Sequence, residues 1–241
     1  MFQIRSSGWL QSSSRRSILV KVASRYMKVA FVQIVGVESS CRSFPDAGRI
    51  YTRSSAGDTI SPMERQPTLM TDRLILRLFD LADAPEVQRL AGDYAIAAAT
   101  LLPYPYPDGL AEIWIASLRR GVEDGNAAAF AITLAPESNL IGSIRLRIDD
   151  DLACGELGFW IGKPYWGQGY ATEATLAVIE YGFSSLGLHR IYGIHFSRNP
   201  ASGRVMEKCR MVYEGRLRKR IRRWGVLEDV DVWGAFRDEW L

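Results

Sequence analysis

The segment of this 241-residue chain best suited to chemistry runs Gly162-Lys163-Pro164-Tyr165-Trp166-Gly167-Gln168-Gly169-Tyr170-Ala171-Thr172-Glu173-Ala174. Gly167 and Gly169 bracket one residue, so the backbone N–H groups there stand unshielded by side chains. Phe159-Trp160-Ile161, just ahead of the bend, reads as the end of a strand, and the residues after the bend open a helix. N–H groups at a helix start lie at the positive end of its macrodipole, which makes this corner a site for an anionic group, most often a phosphate. Ala171 and Thr172 are small enough to let the anion reach the backbone. The plainer reading is a tight turn that packs a helix on a sheet. Neither standard nucleotide motif is present: Thr172 stands where G-x-G-x-x-G needs a small residue, and no G-K-[ST] follows. Metal chemistry finds no support either. Cys41, Cys154 and Cys209 are widely spaced and the histidines are His189 and His195, which excludes a disulfide scaffold and a cysteine–histidine zinc site of ordinary spacing. The thiols suit a reducing compartment.

The surrounding pattern says what must hold that corner. Leu74, Leu76 and Leu78 alternate with Arg73, Ile75 and Arg77, as in a strand. Asp80 caps an expected helix through Leu90, with Gly92 just past its end. Pro103, Pro105 and Pro107 exclude regular structure from Leu101 to Asp108. Asp108 caps a second helix, Gly109 to Arg120, stopped by Gly121. Strands are expected at Phe130–Leu134, Leu140–Ile148 and Gly155–Ile161. After the bend come a helix from Tyr170 to Leu186, a strand from Arg190 to Phe196 and a short helix from Ala201 to Cys209. Two strands, Val212–Arg223 and Val226–Phe236, turn at Trp224-Gly225. This order of elements indicates a mixed α/β sheet.

The stretch W-G-Q-G-Y-A-T-E-A resembles the pyrophosphate-binding motif of the GNAT N-acetyltransferases, in which Q/R-x-x-G-x-G/A cradles coenzyme A. The opening Thr71-Asp72-Arg73-Leu74-Ile75-Leu76-Arg77 and the later N-x-x-S at Asn199 to Ser202 extend the likeness to the RimJ/RimL-type branch, which acetylates protein N-termini and other primary amines. Trp166 stands at the first motif position in place of Gln or Arg, and Cys209-Arg210-Met211 stands where the family often has Leu-Gly-Phe. The resemblance implies the GNAT fold, a mixed, mostly antiparallel central sheet flanked by helices, and acetyl-CoA as acetyl donor. It implies that the amides of Gly167, Gln168, Gly169, Tyr170, Ala171 and Thr172 hold the diphosphate, with Trp166 among the cofactor-binding residues. It also implies that central strands splay, so that Trp160 and Ile161 pair with the pantetheine arm as an added strand would. Asn199 suits a pantetheine amide, or caps the helix before Pro200, or does both.

Transfer of acetyl from a thioester to an amine requires that the amine lose a proton and that the departing thiolate gain one. Glu156, on the strand before the bend, is the candidate base, with partial burial expected to raise its pKa; its alternative is a strand salt bridge. Ser202 is the candidate acid at the sulfur, and its alternative is a serine that satisfies helix donors. His195 is a rival base, more in keeping with a packed strand histidine, and Tyr213 is a further acid candidate. Direct transfer in a ternary complex is expected rather than a cysteine intermediate. Tyr104, Tyr106, Trp114 and the proline loop border the acceptor pocket by analogy.

Composition sets the outer bounds. The apolar fraction of 47% and the charged fraction of 24% are those of a globular protein. The longest uncharged apolar run, Val29 to Val37, falls short of the roughly 20 residues that span a bilayer. Residues 1–62 hold nine Lys or Arg against three acids, leaving 21 against 24 in the rest. That balance argues against nucleic acid as a partner of the body of the chain. The basic run Arg216–Arg223 reads as a charged edge strand, with an RNA or ribosome contact as the alternative. The expected organisation is therefore a basic, Ser/Arg-rich extension over 1–69 and a transferase domain over 70–241. The extension is either an unstructured leader or an organelle transit peptide, on an otherwise cytoplasmic protein. The expected partner is an amine, small molecule or protein N-terminus, met by a monomer or homodimer with no membrane contact. A silent acyl-CoA-binding module is the alternative to an enzyme.

Overall fold

The computed structural model describes residues 66–240, so the expected extension lies outside the described residues up to position 65. Two short strands open the domain, β1 (Leu69–Met70) and β2 (Leu74–Arg77). Gln66, ahead of the expected boundary at 70, exchanges two side-chain hydrogen bonds with the Ala129 main chain, at 2.9 and 3.1 Å. The helix expected from Asp80 arrives in two parts, a 3-10 turn at Leu81–Asp83 and α1 (Ala84–Ala91). Asp80 and Asp83 form a reciprocal capping box, and Arg77 grips Asp83 at 2.7 and 2.8 Å. Helix α2 (Tyr94–Ala99), absent from the sequence expectation, is capped by Asp93. Its run of alanines carries no strong apolar periodicity to announce it.

Helix α3 (Leu110–Glu123) starts at Gly109, which holds φ 77° in the N-cap position, and it runs past Gly121. A Cβ at Gly121 would lie 3.4 Å from Ala127, so this glycine permits close helix–sheet packing and does not stop the helix. The rest follows in chain order: β3 (Ala127–Leu134), β4 (Asn139–Asp149), β5 (Cys154–Ile161), α4 (Tyr170–Ser184), β6 (Arg190–Phe196), α5 (Pro200–Lys208), β7 (Val212–Arg223), β8 (Val226–Phe236) and α6 (Arg237–Trp240). The last three strands have the bounds that their residue patterns imply.

The eight strands form one sheet in the order β1-β2-β3-β4-β5-β6-β8-β7. Every neighbouring pair is antiparallel except β5–β6, the two strands joined through α4. One face carries Ile144, Leu146 and Leu157, which pack on Ala174, Val178, Ile179 and Phe183 of α4. Burial of each Leu, Ile, Val or Phe among them stabilises by about 1.5–3 kcal/mol. The opposite face, bearing Ala127, Ala129 and Ala131 of β3, is covered by α1 and α3. Helix α5 lies on the α4 side, with Met206 over Gly193.

The β5–β6 ladder ends early. It pairs Cys154 with Arg190 through Leu157 with Gly193 and no further. Gly158–Ile161 still pair with β4, and Ile194–Phe196 still pair with β8. The sheet therefore splits between its two central strands while both halves remain braced from outside.

Gly142 keeps one side of the split in place. A Cβ there would strike the Trp160 carbonyl oxygen and the Ile161 side chain. Gly142→Ala is expected to lower stability by about 1–3 kcal/mol through forced displacement of β5, measured as a fall in urea midpoint with an unchanged slope.

Candidate active site

The corner after β5 is exposed and built from left-handed glycines. Gly167 and Gly169 hold φ 75° and 84°, conformations that side-chain-bearing residues rarely adopt. The Trp166 N–H donates to the Lys163 carbonyl and the Glu173 N–H to the Gly169 carbonyl, at 3.2 and 3.0 Å. Between them, the N–H groups of Gly167, Gln168, Gly169, Tyr170, Ala171 and Thr172 donate to no group among the described residues. Six consecutive free donors at the start of a 15-residue helix form an anion cradle.

The cradle is tied to the far edge of the fold by residues of the Thr71–Arg77 stretch. The Glu173 carboxylate accepts from the Thr71 hydroxyl at 2.6 Å, from the Arg73 N–H at 2.9 Å and from Arg73 Nε at 2.7 Å. Arg73 also donates to the Gln168 carbonyl at 3.0 Å and lies 4.7 Å over the Tyr170 ring. Burial alone would raise the Glu173 pKa, but the bonds from Thr71 and Arg73 outweigh it and hold the carboxyl below its ordinary range. Trp166, at the first motif position, donates its indole N–H to the Ile161 carbonyl at 2.5 Å and so fastens the bend to the strand.

The α1/α3 face of the sheet bears the charged residues. Glu156 stands opposite Arg147 on β4 and Tyr192 on β6, one rung before the ladder ends. Its side chain is 13% exposed and ion-paired with Arg147 at 2.5 Å. The strand salt bridge and the position beside the split thus occur together. Burial raises the Tyr192 pKa, and the Glu156 charge adds to the effect. Arg145 faces Gly158, the first residue of β5 beyond the ladder. Trp160 lies one step further on the same face, 6.3 Å from Trp114, and its buried indole N–H has no acceptor among the described residues. Phe79 meets Trp114 edge-on at 5.2 Å, completing an aromatic wall. Within the proline loop Tyr106 is buried, whereas Tyr104 is exposed and meets Tyr94 edge-on at 5.1 Å.

Across the split, Asn199 occupies the N-cap position of α5 without capping its backbone. Its amide instead donates to Ser202 Oγ at 3.0 Å, leaving the hydroxyl proton free to point elsewhere.

Comparison with known proteins bears on what such a split sheet does. The family described as an acetyltransferase (GNAT) domain matches residues 73–212. The chain belongs to the GNAT acetyltransferase family. An uncharacterized N-acetyltransferase of Bacillus licheniformis, p20, is 30% identical over 175 residues, covering 72% of this chain and 98% of the relative. The spermidine N-acetyltransferase of Vibrio cholerae, solved in complex with CoA and spermine, shares the fold at TM-score 0.62 and 24% identity, covering 70% of this chain and 99% of that one. A ribosomal-protein-S5-alanine acetyltransferase of Vibrio fischeri does so at TM-score 0.64 and 21% identity, covering 73% and 99%. The chain is therefore an acyltransferase of the N-acetyltransferase class with the GNAT fold.

Within this acetyltransferase the other candidate residues take structural places. The buried His195 accepts the Trp233 indole N–H at Nε2, 3.0 Å, which assigns the ring proton to Nδ1, 2.9 Å from the Phe196 carbonyl. Both ring nitrogens are engaged. Tyr213 is exposed on edge strand β7, against Trp233. Cys154 has His189 at 3.9 Å, a neighbour that sequence spacing did not disclose, but both sit at the end of β5 remote from the split. Cys209 is fully buried, and burial pushes its thiol up to about 12. Arg210 adopts φ 58°, and its guanidinium lies 5.8 Å from the centre of the Trp240 ring. In the basic run, Arg216 pairs with Asp231 at 2.7 Å, and the buried Arg223 donates to the carbonyls of Ala97, Leu101 and Leu102. Glu228 pairs with Arg198, not with the run. Among the described residues no group of three or more His, Cys, Asp or Glu is placed to hold a metal, and no helix is long and apolar enough to cross a membrane.

Glu173 gives a pH test of the tie on the cradle. A carboxyl held below its ordinary 4.5 stabilises the fold fully at neutral pH and loses that contribution as pH falls through the depressed value. The stability difference between wild type and Glu173→Gln is expected to be greatest near pH 7 and to shrink as pH falls below the ordinary carboxyl value, as read from urea midpoints down the acid range.

Proposed function

We propose that this N-acetyltransferase binds acetyl-CoA at the Gly167–Thr172 corner and passes the acetyl group directly to a primary amine in a ternary complex. The observation that carries the reading is the run of six free N–H donors placed where the central strands part. A diphosphate carries the charge and the acceptor oxygens that such a cradle lacks. The pantetheine arm then extends along the edge of β5 beyond the ladder, at Trp160 and Ile161, with the Asn199 side chain facing it from α5.

The amine enters from the α1/α3 face. Glu156 takes its proton, through water, as nitrogen attacks the thioester carbon. Arg147 holds the carboxylate in position. The tetrahedral intermediate collapses with departure of the thiolate, and Ser202, its oxygen held by the Asn199 amide, donates a proton to the sulfur. Cys209 has no part in this route: its buried, high-pKa thiol is a poor nucleophile.

The acceptor is a protein N-terminus, a polyamine or another small amine, and the protein is placed in the RimJ/RimL-type branch. The Thr71–Arg77 opening supports that placement, as do neighbours named for a ribosomal protein and for spermidine. The catalytic domain is assigned to residues 70–241 of a cytoplasmic monomer or homodimer, with 1–69 as its extension.

Glu156→Gln separates an enzyme from a silent acyl-CoA-binding module. The variant is expected to keep the rise in melting temperature on addition of CoA while thiol release from acetyl-CoA, screened over a panel of amines, drops by about 10²- to 10⁴-fold. Unchanged thiol release would remove Glu156 as base. A failure of CoA to stabilise wild type would remove the donor assignment.

A further inference from the structure

The residue that the assigned chemistry leaves unused is Arg145. It alternates with Ile144 and Leu146, so its side chain leaves the sheet on the face opposite α4 and the diphosphate cradle. It is partly buried, and it forms no hydrogen bond or ion pair among the described residues. Its neighbour two positions on, Arg147, has instead taken Glu156 as partner. Desolvation pushes the Arg145 pKa below the ordinary arginine value, and Arg147 adds to that push while Glu156 opposes it. A cation in such surroundings costs stability unless something pairs with it. Rules of this kind are broken in folded proteins chiefly where function demands it.

Direction comes from Gly158. The nearest atoms to a Cβ built at that glycine are Arg145 Nε at 3.8 Å and Cγ at 4.0 Å. Arg145 therefore crosses β5 at the first residue beyond the paired ladder, and no side chain there blocks its path. The charges it feels are Glu156, already tied to Arg147, and Arg147 itself. The floor of the acceptor side thus has an excess of positive charge beside the aromatic wall of Trp114, Trp160 and Phe79.

We propose that the acceptor amine carries an anionic group, a carboxylate or phosphate, which Arg145 binds while the nitrogen lies over the split between β5 and β6. The proposal rests on the transferase reading above and narrows its acceptor class. A planar guanidinium offers two parallel N–H donors to either anion, a geometry that an ammonium does not reproduce.

The test uses the full chain and matched acceptors: an amino acid and its carboxamide, ethanolamine phosphate and ethanolamine, and a linear polyamine. The anionic member of a pair is expected to show a kcat/KM about 10- to 100-fold above its neutral partner. Which pair shows the preference distinguishes carboxylate from phosphate. Arg145→Gln is expected to erase that preference while the KM for acetyl-CoA holds, and Arg145→Lys to restore part of it. Equal or better turnover of the neutral amine or polyamine would overturn the proposal, and so would a preference that survives Arg145→Gln. If no amine releases thiol although CoA stabilises the protein, the transferase reading fails on its own. The anion site is then judged by melting temperature of the CoA-bound protein with each compound. Stabilisation by the anionic compounds that is lost in Arg145→Gln supports it, and none in wild type overturns it.

Discussion

The early end of the β5–β6 ladder is the constraint on which the rest of the structure depends. A parallel pair that closed along its full length would satisfy its own main chain and leave no room between the halves of the sheet. Here pairing stops at Leu157 and Gly193, yet neither strand frays. Strand β5 is held by β4 through Ile161, and β6 by β8 through Phe196. Unpaired main-chain groups in the middle of a sheet are costly to bury. Their persistence is intelligible if another extended chain, such as a pantetheine arm, takes the missing rungs.

Helix α4 couples that gap to the cradle. Its apolar face is fixed on the sheet by Ala174, Val178, Ile179 and Phe183, and its first turn by Glu173 through Thr71 and Arg73. The free donors therefore sit on a rigid element and need not be organised at the moment of binding. On the proposed reading, donor and acceptor reach the gap from different sides, because the residues of β4 and β5 alternate between the two faces. Ile144, Leu146 and Ile148 pack beneath α4, whereas Arg145 and Arg147 face α1 and α3.

Much of this was legible in the residues. The G-Q-G bend, the pattern of the last three strands and the Thr71–Arg77 opening led to the fold and to the cradle because local backbone needs dictate those residue types. The tether between the two, Arg73 to Glu173, spans about a hundred positions and is invisible to any local pattern. Helix α2 escaped because its alanines have no apolar periodicity, and Gly121 misled because a glycine needed for close packing resembles a helix stop. The pairing of Glu156 with Arg147 rather than Arg145 depends on register, and so does the lack, among the described residues, of a hydrogen-bond or ion-pair partner for Arg145. The clue lay in Ile144-Arg145-Leu146-Arg147-Ile148, where two cations alternate with core residues and only one acid faces them.

Hydrogen–deuterium exchange of the full chain, with and without CoA, tests the central claim most directly. The account predicts that the amides of Gly167 to Thr172 exchange fast in the free protein and become the most strongly protected on addition of CoA, with the Gly158–Ile161 segment protected alongside. Protection that leaves the Gly167–Thr172 amides unchanged, or that gathers elsewhere on the domain, would contradict it.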